Sequence, residues 1–169
     1  MVVKRVVLGM KIYKIFILAI VALMGCISCG GDTPDNPTIK WSKSGSPIGE
    51  WRLNEWNGST ELPFGVYLRL NEDKSFDLYQ HTYSVLWIHY SGTYSINNSV
   101  LSGTYSDGEQ WGSTYSIEYN EANHLIRLTR IGSESRDVSI YSATTIPNEV
   151  EEDATEAVNV RSVAIDPLL

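Results

Sequence analysis

Cysteine is almost missing from this sequence, and its two copies lie close together. Cys26 and Cys29 are three residues apart near the N-terminus, and no cysteine follows them. A fold built from the later residues therefore has no disulfide to hold it. The Cys-x-x-Cys spacing also occurs in redox and zinc sites, but the sequence has no second pair and its three histidines lie far away. These absences exclude a disulfide scaffold and a zinc ribbon, and we expect no metal site.

Long hydrophobic runs are equally scarce. The most apolar one extends from Ile15 to Met24, and Lys11 and Lys14 precede it. Such a run is too short to cross a bilayer as a helix, which needs about 20 apolar residues. A basic segment followed by a short apolar core is typical of a cleaved signal peptide. We therefore predict that residues 1–25 are a signal peptide.

Basic residues are also few. The chain has 13 Lys and Arg against 20 Asp and Glu, which gives a formal net charge of −7. Four of the basic residues fall in the predicted signal peptide, so the rest of the chain carries 9 basic residues and a net charge of −11. A surface of this charge repels phosphate backbones. We expect no nucleic-acid partner.

Catalytic motifs are lacking as well. The sequence has no Gly-x-Ser-x-Gly elbow and no glycine-rich phosphate loop after a strand. Its histidines, His81, His89 and His124, do not have the i,i+4 spacing of helical metal ligands. We expect no cofactor and no enzymatic activity.

The chain is rich in short segments in which apolar and polar residues alternate. In the first of them, Trp51 and Leu53 share one face, and turn residues separate similar segments as far as Tyr141. This pattern predicts an all-β, antiparallel up-and-down meander of about eight short strands over residues 48–145. Asn97-Asn98 is predicted as a two-residue hairpin turn. Gly92 and Gly103, each in mid-strand, permit the sharp bending or close approach that closure into a barrel requires.

The residues Leu23-Met24-Gly25-Cys26 resemble the lipobox of bacterial lipoproteins. The resemblance implies that acyl chains such as palmitate are attached at Cys26, with Cys29 as the alternative acceptor. Residues 26–47 contain mostly Gly, Pro, Ser, Asp and Lys, a composition that predicts a flexible tether. Because several acyl chains hold a protein at a bilayer, we expect a membrane-anchored protein of the cell envelope, with the outer membrane as its location.

The predicted barrel resembles the lipocalin or calycin architecture, and more narrowly the small lipocalin-like domains of bacterial lipoproteins. The residues that carry the resemblance are Gly49-Glu50-Trp51, Phe76-Asp77-Leu78, Tyr90 to Tyr94 before Asn97-Asn98, and Leu101. The resemblance implies a barrel that holds a small apolar or amphipathic ligand at its mouth. The domain is shorter than a secreted lipocalin, and a small barrel can be filled by its own side chains.

The tail, residues 146–169, is acidic. Val150, Ala154 and Ala157 recur at helical spacing among its glutamates, which predicts a short helix. Val160 to Ile165 is apolar enough to add a strand or to lie across a barrel mouth.

Tyrosine and tryptophan are abundant, with ten and five copies against three of phenylalanine. Side chains with an apolar body and a polar tip suit a wet pocket or an interface. We expect Trp51 at the floor of the barrel and Tyr90, Tyr105 and Tyr115 as its ligand-binding lining. The alternative is an accessory or structural lipoprotein with a filled barrel, in which outer-face aromatics contact a protein or glycan. Those aromatics, expected to be partly exposed, are Trp56, Tyr67, Tyr79 and Trp87.

Overall fold

The computed structural model describes residues 39–82, 86–132, 137–157 and 167–169. The predicted signal peptide and both candidate lipid acceptors, Cys26 and Cys29, lie outside these residues, as does the segment Val160 to Ile165. Eight strands follow one another along the chain: β1 (Gly49–Trp56), β2 (Gly65–Leu70), β3 (Ser75–His81), β4 (Ile88–Asn97), β5 (Val100–Tyr105), β6 (Tyr115–Asn120), β7 (Leu125–Arg130) and β8 (Val138–Ala143). A short helix, α1 (Asn148–Asp153), and a two-residue strand, β9 (Thr155–Glu156), come after them.

The strands form a closed antiparallel barrel, which confirms the predicted fold class. Each strand pairs with the next along the chain, and β1 also pairs with β8, so that the sheet returns on itself. Between Leu53 and Glu55 the β1–β8 register shifts by one residue, the kind of bulge that bends a strand. The two ends of the barrel are called here the Gly49 end, where β1 begins, and the Trp56 end, where β1 ends.

The side chains inside the barrel follow the period-two pattern of the sequence. In β2, Val66, Leu68 and Leu70 are buried while the residues between them are partly exposed, and β3 buries Phe76 and Leu78. One continuous core cluster contains these residues and others from all eight strands. The alternation therefore set which face of each strand was buried, as the sequence predicted.

Two glycines allow close approach inside the barrel. A Cβ atom on Gly92 would lie 2.1 Å from the carbonyl oxygen of Thr104, and one on Gly103 would lie 2.3 Å from Cε2 of Trp111. Both glycines face inward, between Tyr90 and Tyr94 on β4 and opposite Tyr94 on β5, respectively. Of the two roles predicted for these glycines, the structure shows close approach, by the backbone at Gly92 and by an indole ring at Gly103.

The β4–β5 turn differs by one residue from the prediction. Asn97 remains in the ladder opposite Val100, and the two turn residues are Asn98 and Ser99, with φ angles of 50° and 61°. These positive φ values are those of the two-residue turn that best matches strand twist. The predicted turn at Asn97-Asn98 was therefore wrong by one position, because serine takes the second left-handed place.

Residues before β1 cover the Gly49 end. Ser42 pairs with Tyr119 by two backbone hydrogen bonds of 2.9 and 2.7 Å, and the indole N–H of Trp51 donates to the carbonyl oxygen of Pro47 at 2.8 Å. The ring of Trp41 lies under the guanidinium of Arg127, 4.4 Å from its centroid. Trp41 thus packs on the barrel.

Helix α1 packs on the outside of the barrel, over β2 and β3. Val150 and the nearby Ile146 are buried against Tyr79, and together they form a second small apolar cluster. Arg69 binds Glu50 at 2.8 Å and also contacts Glu151 of α1, while its Nη1 lies 3.7 Å from Asp77. The predicted short helix is thus present, and an arginine and an apolar contact hold it.

His89 joins this charge cluster from β4. Its two ring nitrogens lie 2.9 Å from Asp77 and 2.5 Å from Glu156 of β9. Burial by itself lowers the pKa of His89, but the hydrogen bonds and charges of the two carboxylates outweigh it and raise the pKa above its ordinary value. Burial likewise opposes ionisation of Asp77, yet His89 and Arg69 keep the pKa of its carboxyl below the usual range. β9 is therefore attached to the barrel by an ion pair as well as by its ladder.

In the part of the chain that the structure describes, none of the helices has the length and apolar character needed to cross a membrane.

Candidate ligand site in the barrel

Polar side chains point into the barrel near its Trp56 end. Gln80 is in phase with Phe76 and Leu78 on β3 and is fully buried. Tyr90 on β4 and Tyr105 at the end of β5 are also buried, with their ring centroids 5.9 Å apart. Tyr115, at the start of β6, is 8% exposed. The barrel interior thus combines apolar walls with several hydrogen-bonding groups at one end.

Trp111 enters the barrel from the connection between β5 and β6. β5 pairs with β6 at Val100 and Leu101. The connection meets the rest of the β5 edge, and there the backbone N–H of Trp111 donates to the carbonyl oxygen of Gly103 at 3.0 Å. Because Gly103 has no side chain, the indole lies over it and contacts Phe76 at 5.0 Å between ring centroids. Trp111 is therefore part of the interior although it does not belong to a strand.

The indole N–H of Trp111 is a buried donor. Trp111 is 5% exposed, and its Nε1 has no hydrogen-bond partner among the described residues. A buried donor without a partner costs about 1–3 kcal/mol. Such a group is a reason to look for a ligand atom that accepts from it.

The last described residues of the chain occupy this end of the barrel. Leu169 is 3% exposed and belongs to the core cluster, and Leu168 packs against the same cluster. The hydroxyl of Tyr105 donates to the carbonyl oxygen of Leu169 at 2.7 Å, and the hydroxyl of Tyr115 donates to that of Leu168 at 3.3 Å. The backbone N–H of Leu168 in turn donates to Oε1 of Gln80 at 2.9 Å. A peptide segment thus fills the space where the sequence predicted a ligand.

The site is uncharged and rich in donors. Of the residues that the structure describes, the buried polar side chains outside the aromatics are Gln80 and Asn120, and no Asp, Glu, Lys or Arg is buried. Burial raises the pKa of the Tyr105 and Tyr115 hydroxyls, so both stay protonated at neutral pH and act as donors. This arrangement can bind carbonyl or carboxylate oxygens and can pack an apolar body. It offers no pair of titratable groups for acid–base chemistry.

The residues predicted for the ligand site do not all lie together. Tyr105 and Tyr115 meet at the Trp56 end, where both bind the Leu168–Leu169 backbone. Tyr90 lies beside Tyr105. Trp51 is buried at the opposite end, next to Pro47. If a ligand enters at the Trp56 end, Trp51 has the position of a floor.

Sequence reasoning missed Trp111, Gln80 and the Leu168–Leu169 segment. An inward-facing glycine such as Gly103 signals that something large occupies the space above it, and the phase of Gln80 with Phe76 and Leu78 marks it as an inward polar residue. No comparable signal exists for Leu168 and Leu169, because two residues show no periodicity.

Of the four outer-face aromatics, Trp56, Tyr67 and Trp87 are partly exposed as predicted, and Tyr79 is not. Tyr79 was expected to be partly exposed, but it is 5% exposed because Ile146 and Val150 cover it. The same burial raises the pKa of Tyr79 to about 12. Tyr67 and Trp87 pack beside this cluster and remain partly buried. Trp56 packs edge-on against Phe64, with centroids 5.4 Å apart, next to the interior core.

Two pockets lined by described residues lie away from this site, each with a volume of about 220 Å³. One is a polar groove on the outside of β4 and β5, lined by serines and threonines. The other is at the Gly49 end, between Trp51, Tyr119 and His124. Both are smaller than the roughly 300 Å³ at which small-molecule pockets begin. Over residues 39–82, 86–132, 137–157 and 167–169, no group of three or more His, Cys, Asp or Glu is arranged to hold a metal ion.

Comparison with known proteins shows one family resemblance. No curated protein matches the sequence. Among solved structures, a partial similarity exists to a protein described as a REP1-NXSQ fatty acid transporter, with 9% sequence identity and a TM-score of 0.37, over 59% of this chain and 97% of that one. A family model described as a lipocalin-like domain matches residues 48–126, which include β1 to β6 and the start of β7. Over this segment, the chain is similar to lipocalin-like domains.

Proposed function

We propose that this protein is a lipid-anchored lipoprotein of the cell envelope whose lipocalin-like barrel binds a small amphipathic molecule through its Trp56 end. The observation that carries the proposal is the set of donors held inside an apolar barrel. The hydroxyls of Tyr105 and Tyr115 already bind carbonyl oxygens there, and the indole N–H of Trp111 has no acceptor among the described residues.

The chemistry of the ligand follows from this set. A group with oxygen acceptors, such as a carboxylate, ester or amide, satisfies buried donors that otherwise cost free energy. An apolar body gains about 25 cal/mol for each Å² of surface that it buries against the walls. Because no charged side chain is buried among the described residues, the site does not select for a full charge on the ligand.

Ligand binding is tested on protein purified from its own host. Native mass spectrometry is expected to show a retained small molecule with an acceptor group. In chains that end at Asp166, in which Leu168 and Leu169 do not occupy these hydroxyls, titration with dansyl-undecanoic acid is then expected to show binding that a Tyr105→Phe/Tyr115→Phe variant weakens by about tenfold, the equivalent of 1.4 kcal/mol. A Tyr94→Phe variant is the matched control, because the Tyr94 hydroxyl donates to Asn71 at the Gly49 end. Equal binding by all three proteins would contradict the proposed site.

The membrane anchor is proposed at Cys26. Support comes from the basic segment, the apolar run and the Leu23-Met24-Gly25-Cys26 pattern that precede the barrel. In cells given labelled palmitate, we expect a Cys26→Ala variant to lose the label and a Cys29→Ala variant to keep it. The opposite result would make Cys29 the acceptor. We place the anchored protein at the outer membrane.

A catalytic role is not part of this proposal. The sequence carries no nucleophile elbow and no phosphate loop. The interior hydroxyl donors, Tyr105 and Tyr115, have raised pKa values, so they hold protons rather than transfer them at neutral pH. Binding alone accounts for these groups.

A further inference from the structure

Leu168 and Leu169 occupy the ligand site of the same molecule. We propose that they act as an internal ligand, so that an amphipathic molecule binds inside the barrel only by displacing them. This inference rests on the proposed function, because it assigns a competitor to the same site.

The site binds this segment through its backbone. The carbonyl oxygen of Leu169 accepts from the Tyr105 hydroxyl at 2.7 Å and from the backbone N–H of Gly112 at 3.3 Å. The carbonyl oxygen of Leu168 accepts from Tyr115 at 3.3 Å, and the N–H of Leu168 donates to Gln80 at 2.9 Å. Since none of these bonds depends on the side chain of either leucine, a different molecule with oxygen acceptors can satisfy the same tyrosines.

The segment is an imperfect occupant. Leu169 is almost completely buried, yet the indole N–H of Trp111 remains without a partner among the described residues. A ligand that packs as well as Leu169 and also accepts a hydrogen bond from Trp111 removes a penalty that the chain's own residues leave in place. Such a ligand can therefore bind the site more tightly than Leu168 and Leu169 do.

The chain holds its internal ligand close to the site. Ala157, which follows β9, donates from its N–H to the carbonyl oxygen of His89 at 2.9 Å, and Ala157 packs against the barrel core. A segment tethered by a short linker has an effective concentration in the millimolar range. The apparent affinity of a free ligand is therefore its intrinsic affinity multiplied by the fraction of molecules in which the site is vacant.

Removing the internal ligand is the first test. A chain that ends at Asp166 and the full chain are each titrated with dansyl-undecanoic acid. We expect the shortened chain to bind the probe about tenfold more tightly, or better, as for a site that is vacant in a tenth or less of the full-length molecules. Ile131→Ser in the full chain is the control, because Ile131 is 45% exposed and lies outside the site. The control should bind like the unchanged protein.

Restoring the internal ligand from outside is the second test. A synthetic peptide of residues 163–169 should bind the shortened chain and expel the probe, and it should not bind the full chain. Far-UV circular dichroism and a thermal melt verify folding. If the shortened chain does not fold, Leu168→Ser/Leu169→Ser in the full chain takes its place, with a smaller gain in probe affinity expected.

The outcomes separate the two ideas. Equal probe affinity for both chains, together with no peptide binding, would overturn the internal ligand and leave the proposed function intact. Peptide binding to the shortened chain without probe binding would keep the internal ligand and overturn the proposed function.

Discussion

Replacing Tyr105 by phenylalanine removes one oxygen atom from the barrel interior and leaves the ring in place. That hydroxyl makes the shorter of the two hydrogen bonds to the carbonyl oxygen of Leu169, at 2.7 Å against 3.3 Å for the N–H of Gly112. The net loss of one such bond is about 1 kcal/mol. Since 1.4 kcal/mol is a factor of ten in an equilibrium constant, the population in which Leu168 and Leu169 have left the site should rise about fivefold.

Amide hydrogen exchange measures this population. The N–H of Leu168 is protected by Gln80, and its exchange reports local opening. We expect about fivefold faster exchange at Leu168 in Tyr105→Phe. Tyr94→Phe removes a hydrogen bond of similar length, 2.8 Å to Asn71, and should destabilise the barrel by a similar amount without changing exchange at Leu168. The same exchange rate in all three proteins would show that Tyr105 does not hold the segment.

Three further predictions concern the barrel and the elements around it. Gly103→Ala should cost about 1–3 kcal/mol by overpacking against Trp111, and Trp111→Leu in the same chain should restore part of it, as urea unfolding of the single and double variants will show. Because the pKa of His89 is raised in the folded state, its contribution to stability is present below about pH 6.5 and is lost as the pH rises through the pKa of the folded state. His89→Gln should abolish this pH dependence of the unfolding midpoint. Arg69→Met should release α1 and speed its cleavage by protease, with a stability loss of roughly 1–3 kcal/mol, whereas Arg52→Met, at an exposed position, should change neither.

The barrel was predictable from the sequence because its cause is local. Alternation in each strand decides which residues face inward, so that Trp51, Tyr105 and Tyr115 were assigned correctly to the buried face. Turn positions were less certain. Asparagine is more common than serine at positive φ, so the sequence favours a turn at Asn97-Asn98. In the structure, Ser99 has a positive φ instead of Asn97.

The contents of the barrel were harder to predict because they depend on contacts between distant residues. Trp111 lies in a connection, and its burial follows from the space above Gly103 rather than from a pattern of its own. The placement of Leu168 and Leu169 depends on hydroxyls that are more than fifty residues earlier in the chain. The covering of Tyr79 likewise depends on where α1 docks, which Arg69 and Glu151 determine across the surface.

Strand β9 bears on the solubility of the protein as well as on its shape. β4 extends beyond the end of β5 toward the Trp56 end, and there β9 pairs with Ile88 and His89 in parallel. Without Thr155 and Glu156 of β9, this stretch of β4 would present unsatisfied backbone groups. Strands of other molecules can pair with such groups and form aggregates. Strand β9 thus opposes self-association by covering the edge of β4. At a pH at which His89 loses its charge, the His89–Glu156 ion pair is lost and β9 is held less firmly.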